Sequence, residues 1–285
     1  MASKNKLLLI FMLSVLGVVP GLCQQFFVGA RVAYGMSAPH SLIGQQKVTV
    51  PASGQSLSNV HGNMGVGWQL GIETGLAMSR NFELRFSYEH LFGESQQLEY
   101  LDYGGEYLLK EGKAIQGRII PSVRIKSEAQ GLGFWMSSGL IVPLTSESTL
   151  RTQMKGVGGN PDHTIEERTL IYRFSPGFRQ QLGLSKKIGP AFELDLFLSY
   201  DLFRQTAKNS YVQSFQKNGN DAMSQLSVYE QETVFQEDLN DYSNNVALNP
   251  NYRTDKAMED LLYSHDFSVI SVGLTLRYRF GDPVE

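Results

Sequence analysis

Apolar side chains fall on every second position in eight separate stretches of the chain. In Phe26–Ser37, Val28, Ala30, Val32, Tyr34 and Met36 alternate with Gly29, Arg31, Ala33 and Gly35. Phe82–Phe92 sets Phe82, Leu84, Phe86, Tyr88 and Phe92 against Glu83, Arg85, Ser87 and Glu89. The same alternation runs through Met64–Ser79, Lys113–Lys126, Gly131–Leu144, Thr169–Leu182, Ala191–Leu202 and the terminal stretch 268–285. Side chains on a strand point alternately to its two faces, so a period of two predicts eight strands, each with one apolar face.

The spacing between these stretches carries a second pattern. Short connections near 79–81, 127–130 and 183–190 alternate with long ones at 38–63, 93–112, 145–168 and 204–266. An even number of strands with short turns on one side and long loops on the other predicts an all-β fold. The expected form is an eight-stranded antiparallel up-and-down transmembrane β-barrel, with short periplasmic turns and long extracellular loops. Stretches of this length suffice, because a tilted strand crosses a bilayer in about 9–11 residues.

The face opposite the apolar one separates the barrel from a soluble sandwich. A solvent-facing sheet would carry long, mixed Lys and Glu. Here that face holds glycines, serines, arginines and carboxylates, which suit a narrow interior that side chains must fill. The predicted lumen charge network comprises Glu83, Arg85, Glu89, Arg118, Arg124, Arg173, Arg179, Glu193, Asp195, Asp201, Arg277 and Arg279. Unpaired charges in such a space are costly, so they are expected to pair into a filled plug, with a polar ion path as the rival reading. Phe82, Phe134, Phe192 and Phe280, with Phe26 or Phe27, are expected to form an interfacial aromatic girdle near the short turns.

The amino terminus supplies a leader. Lys4 and Lys6 precede an apolar run from Leu7 to Val19, then Pro20-Gly21-Leu22-Cys23. The run is too short to span a bilayer as a helix and reads as a secretory signal peptide over 1–23, leaving a barrel domain over 24–285. Retention and acylation of Cys23 is the alternative. Cleavage after Cys23 leaves no cysteine, and hence no disulfide or thiolate chemistry. It also leaves 23 basic against 28 acidic side chains, which disfavours nucleic acid as a partner.

The segment Leu276-Arg277-Tyr278-Arg279-Phe280 resembles the aromatic-terminated last strand of Gram-negative outer-membrane barrels, with Tyr278 and Phe280 as the signal read by the barrel insertion machinery. The mature chain is similar to the eight-stranded outer-membrane-protein-A-like and opacity-protein-like barrels. It departs from them in continuing to Glu285 beyond the aromatic. The resemblance implies the cell outer membrane, with its lipid and surface glycolipid as surroundings. It leaves function open, since such barrels serve as anchors, adhesins, small pores and lipid-modifying enzymes.

Chemistry-bearing motifs are sparse. Asp162-His163 resembles the Asp/His pair of outer-membrane proteases, but that class has ten strands and Gly158–Asp162 is also ordinary turn sequence. His40-Ser41 and His265–Ser268 are near misses for the deacylase pattern. With no base-plus-nucleophile constellation, no catalytic residue, metal ligand or cofactor is expected. The acidic stretches around Asn218–Asp221 and Asp238–Asp241 lack calcium-loop spacing. Tyr100, Tyr103 and Tyr107 mark either a binding tip or a hairpin extending the wall.

The fourth long loop, 204–266, is far longer than a strand connection requires. Met223, Leu226, Tyr229, Phe235 and Leu239 recur at helical spacing, and Thr254 precedes Asp255–Leu262 as an N-cap would. Tyr229, Phe235, Leu239, Leu261 and Leu262 are the expected partner-binding positions. From Gln205 to Asp266 ten carboxylates face four bases, a balance of −6 that suits a basic protein partner, or cations bridging to glycolipid. The sequence thus predicts a non-catalytic barrel acting in interaction, adhesion or envelope integrity, possibly as a subunit of a larger envelope assembly. A narrow channel for small polar solutes comes second and an outer-membrane hydrolase acting on lipid or protein third.

Overall fold

The computed structural model describes residues 25–37, 42–50, 54–102, 106–129, 132–156 and 162–280. The leader and Cys23 lie outside them, as do His40, Tyr103 and the stretch 281–285. Eight strands form the barrel wall: β1 (Gln25–Ser37), β2 (Gly67–Ser79), β3 (Phe82–Gly93), β4 (Tyr107–Ala129), β5 (Leu132–Lys155), β6 (Gly177–Lys187), β7 (Phe192–Leu202) and β8 (Val269–Phe280). Each pairs antiparallel with its sequence neighbour in the wall. The ring closes where β8 pairs with β1, Phe26 opposite Phe280 and Ser37 opposite Val269. Closure leaves no free edge in the wall, as backbone polar groups in hydrocarbon require.

The alternation read from the sequence now has a physical meaning. Outward positions are exposed and apolar, with Ile72 at 65% and Leu196 at 49%, whereas inward positions such as Arg277, Asp195 and Glu83 are buried. This is the reverse of a water-soluble domain, in which apolar groups face the core. At about 3.3 Å per residue and a tilt of about 40°, the 12 residues of β8 rise about 28 Å along the membrane normal, enough for an apolar band of about 25 Å. Phe82, Phe134, Phe192, Tyr278 and Phe280 project outward near the short turns. Phe26 joins them, its ring 5.6 Å from that of Phe280, while Phe27 points inward.

Three expectations need correction. The sixth strand does not run from Thr169 to Leu182: Pro176, which cannot donate to a ladder, falls in a break between His163–Tyr172 and β6. The second and third long connections are largely strand, because β4 and β5 stay paired from Tyr107↔Lys155 to Ala129↔Leu132, past a register shift at Gly117/Arg118. Nor does Thr254 cap a helix, although the fourth loop does contain short helical turns at Met223–Gln225 and Val228–Gln231. The loop holds the strand Arg204–Lys217, a single-turn helix α1 (Val228–Gln231) capped by Ser227, the strand Glu232–Gln236 and the strand Met258–Leu261. The last pairs in parallel with Thr233–Gln236, so the apolar residues after Thr254 belong to a ladder.

These segments extend the same sheet beyond the wall, as an outer sheet continuous with β4 and β5. Gly54–His61 pairs with Leu42–Val50, which pairs with Gln96–Asp102, and that with the outer part of β4. Outer β5 pairs with His163–Tyr172, which pairs with Arg204–Lys217; Glu232–Gln236 and Met258–Leu261 follow.

Candidate functional site

The lumen is filled in two layers. Toward the short turns, Glu73, Glu83, Glu193 and Asp195 meet Arg85, Arg124, Lys126, Arg277 and Arg279. Arg277 reaches Glu73 at 2.5 Å, Asp195 at 2.6 Å and Glu83 at 3.2 Å. Arg279 holds Glu193 and Glu83, Arg124 holds Asp195 at 3.0 Å, and Arg85 holds Glu73 at 2.5 Å. Farther along the lumen, Glu89 gathers Arg31, Arg118 and Arg179 at 2.9, 3.0 and 2.5 Å, and Asp201 takes Arg179 and Arg118 at 2.6 and 3.1 Å. Shared carboxylates compensate the desolvation of so many charges, which isolated pairs would not.

Inward aromatic rings complete this layer. Arg124 lies 4.3 Å from the Trp135 ring centre, Arg31 3.9 Å from that of Phe197 and Arg277 4.9 Å from that of Phe27. Each ring lies over a glycine of the wall: Trp135 over Gly183 and Phe197 over Gly273, where an added Cβ would overlap the ring. Glycine is needed there for space.

Above the charges sits an apolar layer. Leu91, Ile120, Ile141, Phe203 and Phe267 are buried together with Met64, Leu150, Leu170, Tyr172 and Phe235, and Leu262 and Tyr263 pack against them. Phe203 and Phe267 rings lie 5.8 Å apart, and Tyr172 meets Phe267 edge-on at 5.5 Å. Backbone bonds from Met64 N–H to Asp266 O (3.0 Å) and from Phe267 N–H to Phe203 O (2.8 Å) fix the entering and leaving strands around this layer.

Of the predicted network, eleven residues converge here and one does not. Arg173 lies in the break that ends at Pro176 and outside the lumen, half-exposed, donating to Phe235 O at 2.9 Å and pairing with Glu237 at 3.4 Å. Arg31, Glu73 and Lys126 belong to the network without having been singled out, although the alternation already put them on the inward face. The expected partner-binding positions also divide. Phe235 is buried in the apolar layer and Leu262 packs on it, the Tyr229 ring lies tilted against that of Tyr252 at 4.9 Å, and Leu239 is half-buried; only Leu261 is openly exposed.

The motifs weighed for catalysis are structurally occupied. Asp162 pairs with Lys217 at 2.6 Å and accepts from Asn218, which holds its carboxyl below the usual range, and His163 Nε2 meets Tyr107 Oη at 3.0 Å. His265 Nδ1 lies 2.6 Å from the Tyr172 hydroxyl, itself 2.9 Å from Ser148 Oγ. Burial, and then nearby Lys110, push the imidazole down to about 4, and burial pushes the Tyr172 hydroxyl up. Ser148 and Tyr172 are buried, so this trio anchors the loop to the outer sheet.

A closed ring of eight tilted strands, apolar outside and charged within, fits a bilayer and no aqueous setting. The chain is an eight-stranded transmembrane β-barrel. No family model matches its sequence, and no curated relative does. Solved structures similar to the barrel include Neisserial surface protein A, at 12% identity over 90% of this chain and 97% of that one, with a TM-score of 0.33. The outer membrane protein OprG from Pseudomonas aeruginosa is 8% identical over 92% and 99% of the two chains, with a TM-score of 0.41. A major outer membrane protein from Thermus thermophilus is 12% identical over 90% and 98%, with a TM-score of 0.41.

Proposed function

We propose that the barrel is a sealed, non-catalytic scaffold that holds the outer sheet beyond the membrane for contact with a partner, in interaction, adhesion or envelope integrity. One observation carries the reading: a layer of buried ion pairs and a layer of buried apolar side chains both fill the lumen. A channel needs neither, and an eight-stranded barrel has little space to spare.

The partner-facing element is the segment between Glu237 and Ala257. Because Glu232–Gln236 and Met258–Leu261 pair in parallel, this segment is a crossover and no tight turn can replace it. Asn244 braces it, accepting from Arg253 N–H at 2.6 Å and donating to Arg253 O and Ala257 O, and Asn245 donates to Glu259 O. On this frame Tyr242 is 94% exposed, with Val246, Leu248 and Leu261 also outward, among the exposed acids Glu237, Asp238 and Asp241. Ordered apolar side chains rimmed by carboxylates suit a basic protein surface. The combined substitution of Tyr242, Val246 and Leu248 by Ser should leave a folded, heat-modifiable barrel that no longer retains its partner in pull-downs from native membranes. Discrete single-channel conductance of the wild-type protein in planar bilayers would overturn the sealed reading, and full partner retention by the triple variant would overturn the placement.

A further inference from the structure

A cleft of about 720 Å³ lies between the outer sheet and the fourth loop. Its walls come from β4 and β5 beyond the membrane, from His163–Tyr172 and Arg204–Lys217, and from α1 and Met258–Leu261. Leu150, Phe235 and Tyr263 are shared with the apolar layer that seals the lumen, so the cleft ends on that seal. Its size is that of sites that take small organic molecules.

The charges of the lining narrow the ligand. Arg168 spends its guanidinium on the protein: Nε donates to Glu166 at 2.8 Å, Nη1 to Ser210 and Thr233 at 3.1 Å, and Nη2 to Glu230 O at 2.8 Å. That leaves the Arg168–Glu166 pair neutral. The rest of the lining holds Lys110, Asp260 and Glu230, a balance of −1, with the Glu230 carboxylate accepting from Ser227 N–H and hydroxyl at 2.8 and 2.7 Å. Lys110 lies close enough to His265 to oppose its protonation, and Asp260 close enough to Tyr263 to oppose its ionisation. Four aromatic rings line the same space: Phe215, Tyr229, Phe235 and Tyr263. Ring faces attract cations by their quadrupole, more strongly once water is excluded, and carboxylates beside them add to the attraction. An anion entering the cleft would meet Asp260 and Glu230 with Lys110 alone to receive it.

We propose that this cleft binds a small organic cation, an amine or quaternary ammonium on a compact aromatic or branched apolar body. The cation sits beside Asp260 with its apolar body against the Tyr263 and Phe235 rings. This site is separate from the exposed face around Tyr242, so its failure would leave the partner reading standing.

The test uses the full barrel in phosphatidylcholine nanodiscs, with benzyltrimethylammonium as probe and benzenesulfonate as the matched anion, followed by calorimetry and saturation-transfer NMR. Saturable binding of the cation and none of the anion is expected. D260N keeps the carbonyl that accepts Leu261 N–H and should weaken binding about tenfold, while L226W, which fills the cleft, should abolish it. E237Q, outside the cleft, should bind as the wild type does. Heat-modifiability confirms that each variant is folded. Equal or tighter binding of benzenesulfonate, a D260N affinity equal to wild type, or no saturable binding of the cation would overturn the proposal.

Discussion

Acid should loosen the fourth loop through His265. The ring is wedged between Tyr263 and Tyr172, at centroid distances of 5.1 and 5.9 Å, on the short strand Ser264–Asp266 that returns the chain to β8. Burial and Lys110 lower its pKa to about 4, against about 6.5 for a solvated imidazole. The sign follows directly. The docked loop disfavours the proton, so the released loop takes it up first, and docking is fully stabilised above about pH 6.5 and weakens as pH falls toward 4. At about 1.36 kcal/mol per pH unit this amounts to about 3 kcal/mol, or about a hundredfold in the open population. Brief proteolysis of the nanodisc-embedded barrel between pH 7.5 and 4.5 reads that population as cleavage within 204–266. The wild type should become steeply more sensitive below pH 6.5, and H265N, which carries no titrating ring, should respond weakly. Identical pH profiles for the two proteins would refute the reasoning.

Other perturbations probe the wall and its filling. R277L leaves Glu73, Asp195 and Glu83 short of a cation and should cost about 3–5 kcal/mol, seen as loss of the heat-modifiable band or a lower urea midpoint in micelles. G183V places a branched side chain under the Trp135 ring and should block folding, whereas G189V, whose Cβ meets nothing within 4 Å, should not. L196R puts a charge on the lipid face near the middle of β7 and should cost about 2–4 kcal/mol, whereas S199A, buried inside, should change stability by less than about 1 kcal/mol. Similar losses from these two would mean the faces are misassigned. Protease added to intact cells should spare the turn at 79–82 and cut only on the long-loop side.

The wall was legible because every one of its strands obeys one rule. Lipid on one side and a crowded polar interior on the other force strict alternation, and closure adds the alternation of short and long connections. The charge network was legible for the same reason, and Arg31 and Glu73 stood on the inward face of the pattern. Arg173 misled because periodicity continues across a proline: Thr169–Leu182 alternates throughout, yet Pro176 divides it, and although both halves pair with β5, their other edges pair with Arg204–Lys217 and β7 respectively. In the fourth loop Met223 and Tyr229 do fall in short helical turns, but Phe235 and, after Thr254, Met258–Leu261, at the same apparent spacing, lie in strands. These strands are captured by pairing with distant segments, a non-local event that local spacing does not record.

The glycines show most clearly what a one-dimensional reading leaves hidden. Alternating Gly75, Gly183 and Gly273 suggest only a narrow interior. Their function appears when Phe27, Trp135 and Phe197 from neighbouring strands are laid across them, each ring beneath an arginine of the network. Ring, glycine and guanidinium then form one unit: the glycine admits the ring, the ring supports the guanidinium, and the guanidinium bridges carboxylates on other strands. Filling the lumen this way links the strands of the wall below the break at Pro176, while the chain beyond it is held by the apolar layer and the His265 anchor. Acid sensitivity, ligand binding and partner contact are accordingly all expected in the outer sheet and its loop, with the barrel beneath them unchanged.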